Sequence, residues 1–387
     1  MGRIHLKLIL SLAVLVAAVW WVFFSGTVPV RHLGPATSLL ARPGCPLFAV
    51  QIEDRTWKLF DTAARRSGDG RVISGQVEDS PALTQEGVVV WSDSGLRRVS
   101  LENDEVLLPV EAFAAPARFL GVAGESDAVF VTEGDAAELW VVGLGDDVSG
   151  TPWRLEGRDE ETTHRIDGPV LLSPFGRSLT FIGEKGREAW SWDEQGKSKN
   201  VVAEGFDRPA AVFAEDGKTL VLEGSTDDLR LFSLETGSLG FMAEGNLGWS
   251  RRVGSSHGFR GGQEERQLFV PRWFRNGYLQ LFHIHFKGGG THGFKLGFLH
   301  HYGVTVSENG ASMAYLQADF DEESDNPFTE EIYHFDFNRV SRGAVFLGKR
   351  EGGLRHAGPT IVGRGQDLVF LLDGEVRLLP GAQEQAP

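Results

Sequence analysis

From Leu47 onward, short apolar runs of strand length recur in pairs, punctuated by Gly, Asp and Asn. The inner members of the pairs are Leu47–Ile52, Val88–Trp91, Ala128–Thr132, Ser178–Ile182, Thr219–Glu223, Gln267–Val270, Ser312–Leu316 and Asp367–Leu372. Their partners are Trp57–Phe60, Leu96–Ser100, Glu138–Val142, Ala189–Trp192, Leu229–Leu234, Tyr278–Phe286, Ile332–Phe337 and Glu375–Leu379. Successive pairs stand roughly 40 to 55 residues apart, and no segment after Leu47 sustains a helical 3.6-residue period over about twelve positions. Such a period, with four short strands per unit, points to an all-β fold, a β-propeller. Composition agrees: 49 Gly and 16 Pro in 387 residues exclude a helical bundle or a long coiled coil. A hydrophobic fraction of 41%, with 10% aromatic, excludes a disordered chain.

Three units share more than rhythm. Ser173-Pro-Phe-Gly-Arg-Ser-Leu-Thr-Phe-Ile182, Ala214-Glu-Asp-Gly-Lys-Thr-Leu-Val-Leu-Glu223 and Ser307-Glu-Asn-Gly-Ala-Ser-Met-Ala-Tyr-Leu316 each place a polar tetrapeptide ending in Gly before a strand. Gly supplies the left-handed conformation of the turn, and Asp or Asn caps it with its own side chain. These segments resemble the blades of TolB-like and WD40-like propellers, which run Ser-Pro-Asp-Gly-Lys, then a strand, then a short Trp-Asp-type strand. The Gly-His and Trp-Asp pairs of true WD40 blades are largely missing. Counting paired strands gives eight blades, or seven if the first and last units are two parts of one. The last unit stops soon after Leu379 without an obvious fourth strand. Thr27–Leu33 has the right length to close the ring by pairing near Glu375–Leu379. The expected division is a cytoplasmic tail and transmembrane signal anchor (1–26), a linker contributing the closing strand (27–46), the propeller (47–381) and a disordered tail (382–387).

The anchor rests on Leu8–Phe24, apolar apart from Ser11 and preceded by Arg3 and Lys7. It is just long enough to span a bilayer core, and the basic residues hold its start in the cytoplasm. Trp20, Trp21, Phe23 and Phe24 suit the far interface. A cleaved signal peptide would follow its apolar stretch with small residues, but aromatic residues stand there. The body is therefore expected in an extracytoplasmic space, the bacterial periplasm, tethered to the inner membrane. A solitary cysteine and the lack of an Asn-X-Ser/Thr acceptor fit that compartment. Residues 1–46 carry four basic residues and no acid, so the rest of a chain of net charge −15 carries −19. So acidic a body excludes nucleic acid as partner, because phosphate contacts need Lys and Arg.

Chemical motifs are few. Gly254-Ser-Ser-His-Gly258 has the spacing of a nucleophile elbow, but that motif needs a strand-to-helix turn in an α/β domain, so the catalytic reading is rejected. Asn276-Gly277 reads as a tight hairpin turn leading into Tyr278–Lys287, where period two sets His283, His285 and Lys287 on one face. Two imidazoles could share Zn²⁺ or Cu²⁺ if a third ligand came from His292, His300 or His301, although Lys287 opposes a cation there. Asp319-Phe-Asp-Glu-Glu-Ser-Asp325 has carboxylates enough for Ca²⁺ but lacks the EF-hand glycine and spacing, and reads as a solvated insertion in the seventh hairpin.

The strongest anomaly is residues 247–302. They hold eight Lys or Arg against two acids, six of the eleven histidines and eleven aromatics. This is a net charge of +6 within a body whose remainder totals −25. Arginine with aromatic side chains anchors interfaces. The binding residues are expected among Arg251, Arg252, Arg260, Arg272, Trp273, Arg275 and Tyr278, facing an acidic protein surface or polyanion. The bland alternative pairs these charges with acids of neighbouring blades. The chain is thus expected to be a non-catalytic interaction platform without a cofactor. The other readings are a propeller enzyme (a hydrolase or a cofactor-dependent oxidoreductase) and a ligand- or sugar-binding module using the central channel.

Overall fold

The computed structural model describes residues 30–380 apart from 43, 54, 63–69, 74–80, 133–137, 146–150, 156–166, 208–210, 214–216, 225–227, 245–266, 274–278, 286–290, 298–300, 307–311, 321–327, 337–343, 352–358 and 363–366. Strand β1 (Arg31–Pro35) precedes a run of antiparallel sheets that follow the chain. The first sheet is β2 (Ser38–Ala41), β3 (Leu47–Glu53), β4 (Thr56–Asp61) and β5 (Arg71–Ile73). The second is β6 (Ala82–Leu83), β7 (Val88–Ser92), β8 (Gly95–Val99) and β9 (Asp104–Leu108). The third is β10 (Ala117–Ala123), β11 (Asp127–Thr132), β12 (Glu138–Gly143) and β13 (Trp153–Arg154). The fourth is β14 (Asp167–Leu172), β15 (Ser178–Gly183), β16 (Gly186–Trp192) and β17 (Ser198–Glu204). The fifth is β18 (Ala211–Phe213), β19 (Thr219–Glu223), β20 (Asp228–Ser233) and β21 (Leu239–Glu244). The sixth shows three strands among the described residues, β22 (Gln267–Trp273), β23 (Leu279–His285) and β24 (Thr291–Gly297). The seventh is β25 (His301–Val306), β26 (Ser312–Phe320), β27 (Phe328–Asp336) and β28 (Val345–Glu351). The eighth joins β29 (Thr360–Val362), β30 (Asp367–Leu372) and β31 (Glu375–Leu379) to β1.

The middle strands read as continuous apolar runs because both of their faces are buried. In β30, Leu368, Phe370 and Leu372 pack with Met313, Leu316 and Ile332 of the seventh sheet. The intervening Val369 and Leu371 pack with Phe48 and Val50 of the first. Strand β3 divides likewise: Phe48 and Val50 face the eighth sheet, while Leu47 and Ala49 meet Val88 and Val90 of the second. Strand β11 sends Ala128 and Phe130 toward the second sheet and Val129 and Val131 toward the fourth. The period-two alternation of a strand thus serves two cores at once, which is the packing of a β-propeller.

First strands of successive sheets stand side by side: β2 by β6, β6 by β10, β10 by β14, β22 by β25 and β25 by β29. They form the innermost layer. The paired runs of the sequence are therefore the second and third strands of each sheet, and their first members are not the inner ones. The true inner strands are as short as the two residues of β6 and the three of β18 and β29.

Strand β1 lies on the outer side of β31, antiparallel, with Arg31 opposite Leu378, His32 opposite Arg377, Gly34 opposite Val376 and Pro35 opposite Glu375. The chain then turns inward, and the Ala36 amide donates to the Gly374 carbonyl at 2.8 Å. The pairing segment runs two residues beyond Leu33, and residues 27–29 lie outside the described ones. The apolar segment 8–24 lies outside them as well; among the described residues no helix is long and apolar enough to cross a membrane.

Candidate interaction face

Among the described residues, the connections between first and second strands of the first five sheets touch one another in sequence. Cys45, buried in the connection of the first sheet, donates from Sγ to the Thr84 carbonyl in the second at 3.3 Å. The Gln85 amide of the second donates to Oε2 of Glu125 in the third at 2.7 Å. The Gly124 amide of the third donates to the Ser173 carbonyl of the fourth at 2.7 Å. Ser178 Oγ at the start of β15 donates to the Gly217 carbonyl of the fifth at 2.8 Å. These bonds satisfy turn backbone that would otherwise be buried without partners, and they fix each sheet to its neighbour.

Charged residues reinforce these connections. Arg177 donates from Nε to Oδ2 of Asp127 at 2.7 Å and from Nη1 to Oε1 of Glu194 at 3.1 Å. Burial pulls the Arg177 guanidinium toward its neutral form, but the hydrogen bond and charge of Asp127, helped by Glu194, hold it above its ordinary range. The Cys45 thiol is pushed up to about 11 by burial, against the opposing effects of the Leu47 backbone and Arg42. That keeps it a protonated hydrogen-bond donor and a poor nucleophile. In the third strand of the fourth sheet, burial pushes the Arg187 guanidinium down to about 10.

Of the sequence-predicted site residues, Arg272 and Trp273 end β22, opposite Gln280 and Leu279 of β23. Strands β22 and β23 stand first and second in their sheet, as β2 and β3 do in theirs. Arg272 and Trp273 are therefore at the end of the ring where Ala41 closes β2. Arg251, Arg252, Arg260, Arg275 and Tyr278 lie outside the described residues, as do Asn276-Gly277 and the segment 254–258. His283 and His285 both fall on β23; His283 is in register with Phe269 on one side and His292 of β24 on the other. His301 opens β25 in the next sheet, while Lys287 and His300 lie outside the described residues. Among the described residues no group of three His, Cys, Asp or Glu is placed to hold a metal ion. Asp319 and Phe320 extend β26 opposite Thr329 and Phe328, so the acidic stretch begins inside the seventh hairpin; residues 321–327 lie outside the described ones.

The sequence did not single out Arg42, Glu125 or Arg177. Their partners lie tens of residues away, and the one local cue was the turn chemistry of Arg42-Pro-Gly and Ser173-Pro-Phe-Gly.

No family model and no curated protein matches the chain. Among solved structures it is similar to the WD40 domain of SCAP from fission yeast, with a TM-score of 0.54 and 11% identity over 91% of this chain and 98% of that one. A dihydro-heme d1 dehydrogenase, NirN, solved in complex with DHE, aligns at a TM-score of 0.46 and 13% identity over 82% of this chain and 68% of that one. The first likeness establishes the fold and nothing beyond it: the chain is a WD40-like β-propeller.

Proposed function

We propose that this protein is a non-catalytic interaction platform, a TolB-like propeller of eight blades closed by β1 and held by an N-terminal membrane anchor in the periplasm. The observation that carries the reading is the segregation of charge. Residues 247–302 hold +6 in a body whose remainder is −25. That segment supplies the sixth sheet, whose first strand ends in Arg272 and Trp273. A basic-aromatic sector on an otherwise acidic ring steers an acidic partner to one place and repels it elsewhere. The anchor reading is supported by Leu8–Phe24 and by the acid-free first 46 residues. The WD40-like fold adds a rigid ring whose ends display loops, where binding contacts are commonly carried.

The test replaces Arg272 and Arg275 by Glu and recovers partners by affinity purification from solubilised membranes. The doubly substituted chain folds with the wild-type unfolding midpoint and loses the wild-type partners. The wild-type interaction weakens between low and high salt, as screening over ~8–10 Å requires. Lower stability with partner recovery intact would return these arginines to internal pairing and overturn the proposal.

A further inference from the structure

Arg42 makes a contact that the neighbour-to-neighbour bonding of the ring does not explain. It sits at the exit of β2 in the first sheet, yet its Nη1 donates to the Gly124 carbonyl of the third sheet at 3.2 Å and its Nη2 donates to the Pro174 carbonyl of the fourth. Glu125 of the third sheet lies 2.6 Å from the same guanidinium. The side chain therefore passes over the second sheet altogether, across sequence separations of 82 and 132 residues. First strands stand side by side around the axis, so the contact bridges the first sheet to the third and fourth on one side of the ring. Only 17% of the Arg42 side chain remains exposed, so it is packed into that position and not waving above it. Its acceptors are themselves fixed: Gly124 by Ser173, and Glu125 by the Gln85 amide.

We infer that Arg42 is a built-in strap that ties the first sheet to the third and fourth at the end where first and second strands connect, and so holds that side of the ring together. Two carbonyls and a carboxylate form a site for a guanidinium, and the chain fills it with its own. A partner docking at this end then meets, on the side of the first four sheets, loops already fixed to one another by Arg42. This goes beyond the platform proposal, and holds or fails independently of it.

Cys45 provides the readout, because it is the sole cysteine, is buried, and its amide donates to the Arg42 carbonyl at 3.1 Å. The full-length chain is labelled with an aromatic disulfide reagent in the absence of denaturant. Arg42→Ala speeds labelling about tenfold or more, the loss of at least one charge-assisted hydrogen bond. Glu125→Ala speeds it less, and the double variant adds little to Arg42→Ala, since both act on one contact. Hydrogen exchange separates a strap between sheets from a merely local turn. In Arg42→Ala, peptides covering 120–126 and 173–178 exchange faster, while 84–92 in the second sheet is unchanged. Labelling within about twofold of wild type, or unchanged exchange at 120–126 and 173–178, overturns the inference. Should Arg42→Ala not fold, Glu125→Ala decides by the labelling rate and by exchange at 173–178, since it also frees the Gln85 amide in the second sheet.

Discussion

At the residue scale the ring depends on polar groups placed where two sheets meet. Arg350 of β28 donates from Nε to Oε2 of Glu330 at 2.6 Å and from Nη1 to the Leu371 carbonyl of the eighth sheet at 2.8 Å, with both charged side chains almost wholly buried. Removing one partner of such a pair leaves an uncompensated charge inside, at a cost of about 3–5 kcal/mol. Arg350→Met is therefore expected to lower stability by that amount in denaturant titrations. Adding Glu330→Leu should restore most of the loss, because an apolar pair carries no desolvation penalty. If the double variant is no better than the single, the pair matters through the Leu371 bond instead.

Cys45 gives a prediction in pH. Its folded value of about 11 stands above the ordinary 9.0, so between those values the folded chain keeps a proton that the unfolded chain has lost. The stabilisation is present in full below pH 9 and disappears as the pH rises through 11, a loss of roughly 2–3 kcal/mol. Cys45→Ala has no thiol to titrate. The stability difference between wild type and variant should therefore shift against the wild type across this window. A constant difference across it would contradict the assignment.

At the scale of elements, the glycine turns separate two costs. Gly374 follows Asp373 in the two-residue turn between β30 and β31, with φ of +71° and open space around its missing Cβ. Gly217 has φ of +62°, and a Cβ there would stand 2.9 Å from the Gly176 Cα of the adjacent sheet. Both positions disfavour a side chain by about 1–2 kcal/mol for conformation alone. Gly217→Ala must also push two turns apart, so its unfolding midpoint should fall further than that of Gly374→Ala. Equal effects would mean that the turns do not touch. Legibility in the sequence follows the same physics. Strands such as Val88–Trp91 and Asp367–Leu372 show plainly because burial on both faces demands unbroken apolar runs. Ala82–Leu83 and Thr360–Val362 do not, being shorter than any period. The charge anomaly of 247–302 could be counted without a structure, whereas Arg42 and its acceptors, 82 and 132 residues apart in sequence, are brought together by the packing of successive sheets.

At the scale of the whole molecule, the proposed anchor and the strand that completes the eighth sheet are separable parts of the start of the chain: the apolar segment 8–24 is the one, and β1 is the other. Strand β1 is half exposed, and its ion pair from His32 Nδ1 to Glu375 Oε2, at 2.9 Å, is solvent-accessible and so contributes little. What β1 does supply is the ladder along β31, a cover for the outer edge of the eighth sheet, and Leu33 against the core shared with the first. Without it the eighth sheet has three strands, and among the described residues the first and last sheets keep their packing and the Ala36–Gly374 hydrogen bond. Two truncations divide these contributions. A chain beginning at residue 29 retains β1 and should unfold at the wild-type midpoint while losing its association with membranes. A chain beginning at residue 37 loses the ladder too, and its midpoint should drop by roughly 5 °C or more. Its amides in β31 should also lose hydrogen-exchange protection before those of β3 or β7, because the edge exposed by the loss of β1 opens first. Equal midpoints for the two truncations would mean that the ring holds its last sheet without the N-terminal strand.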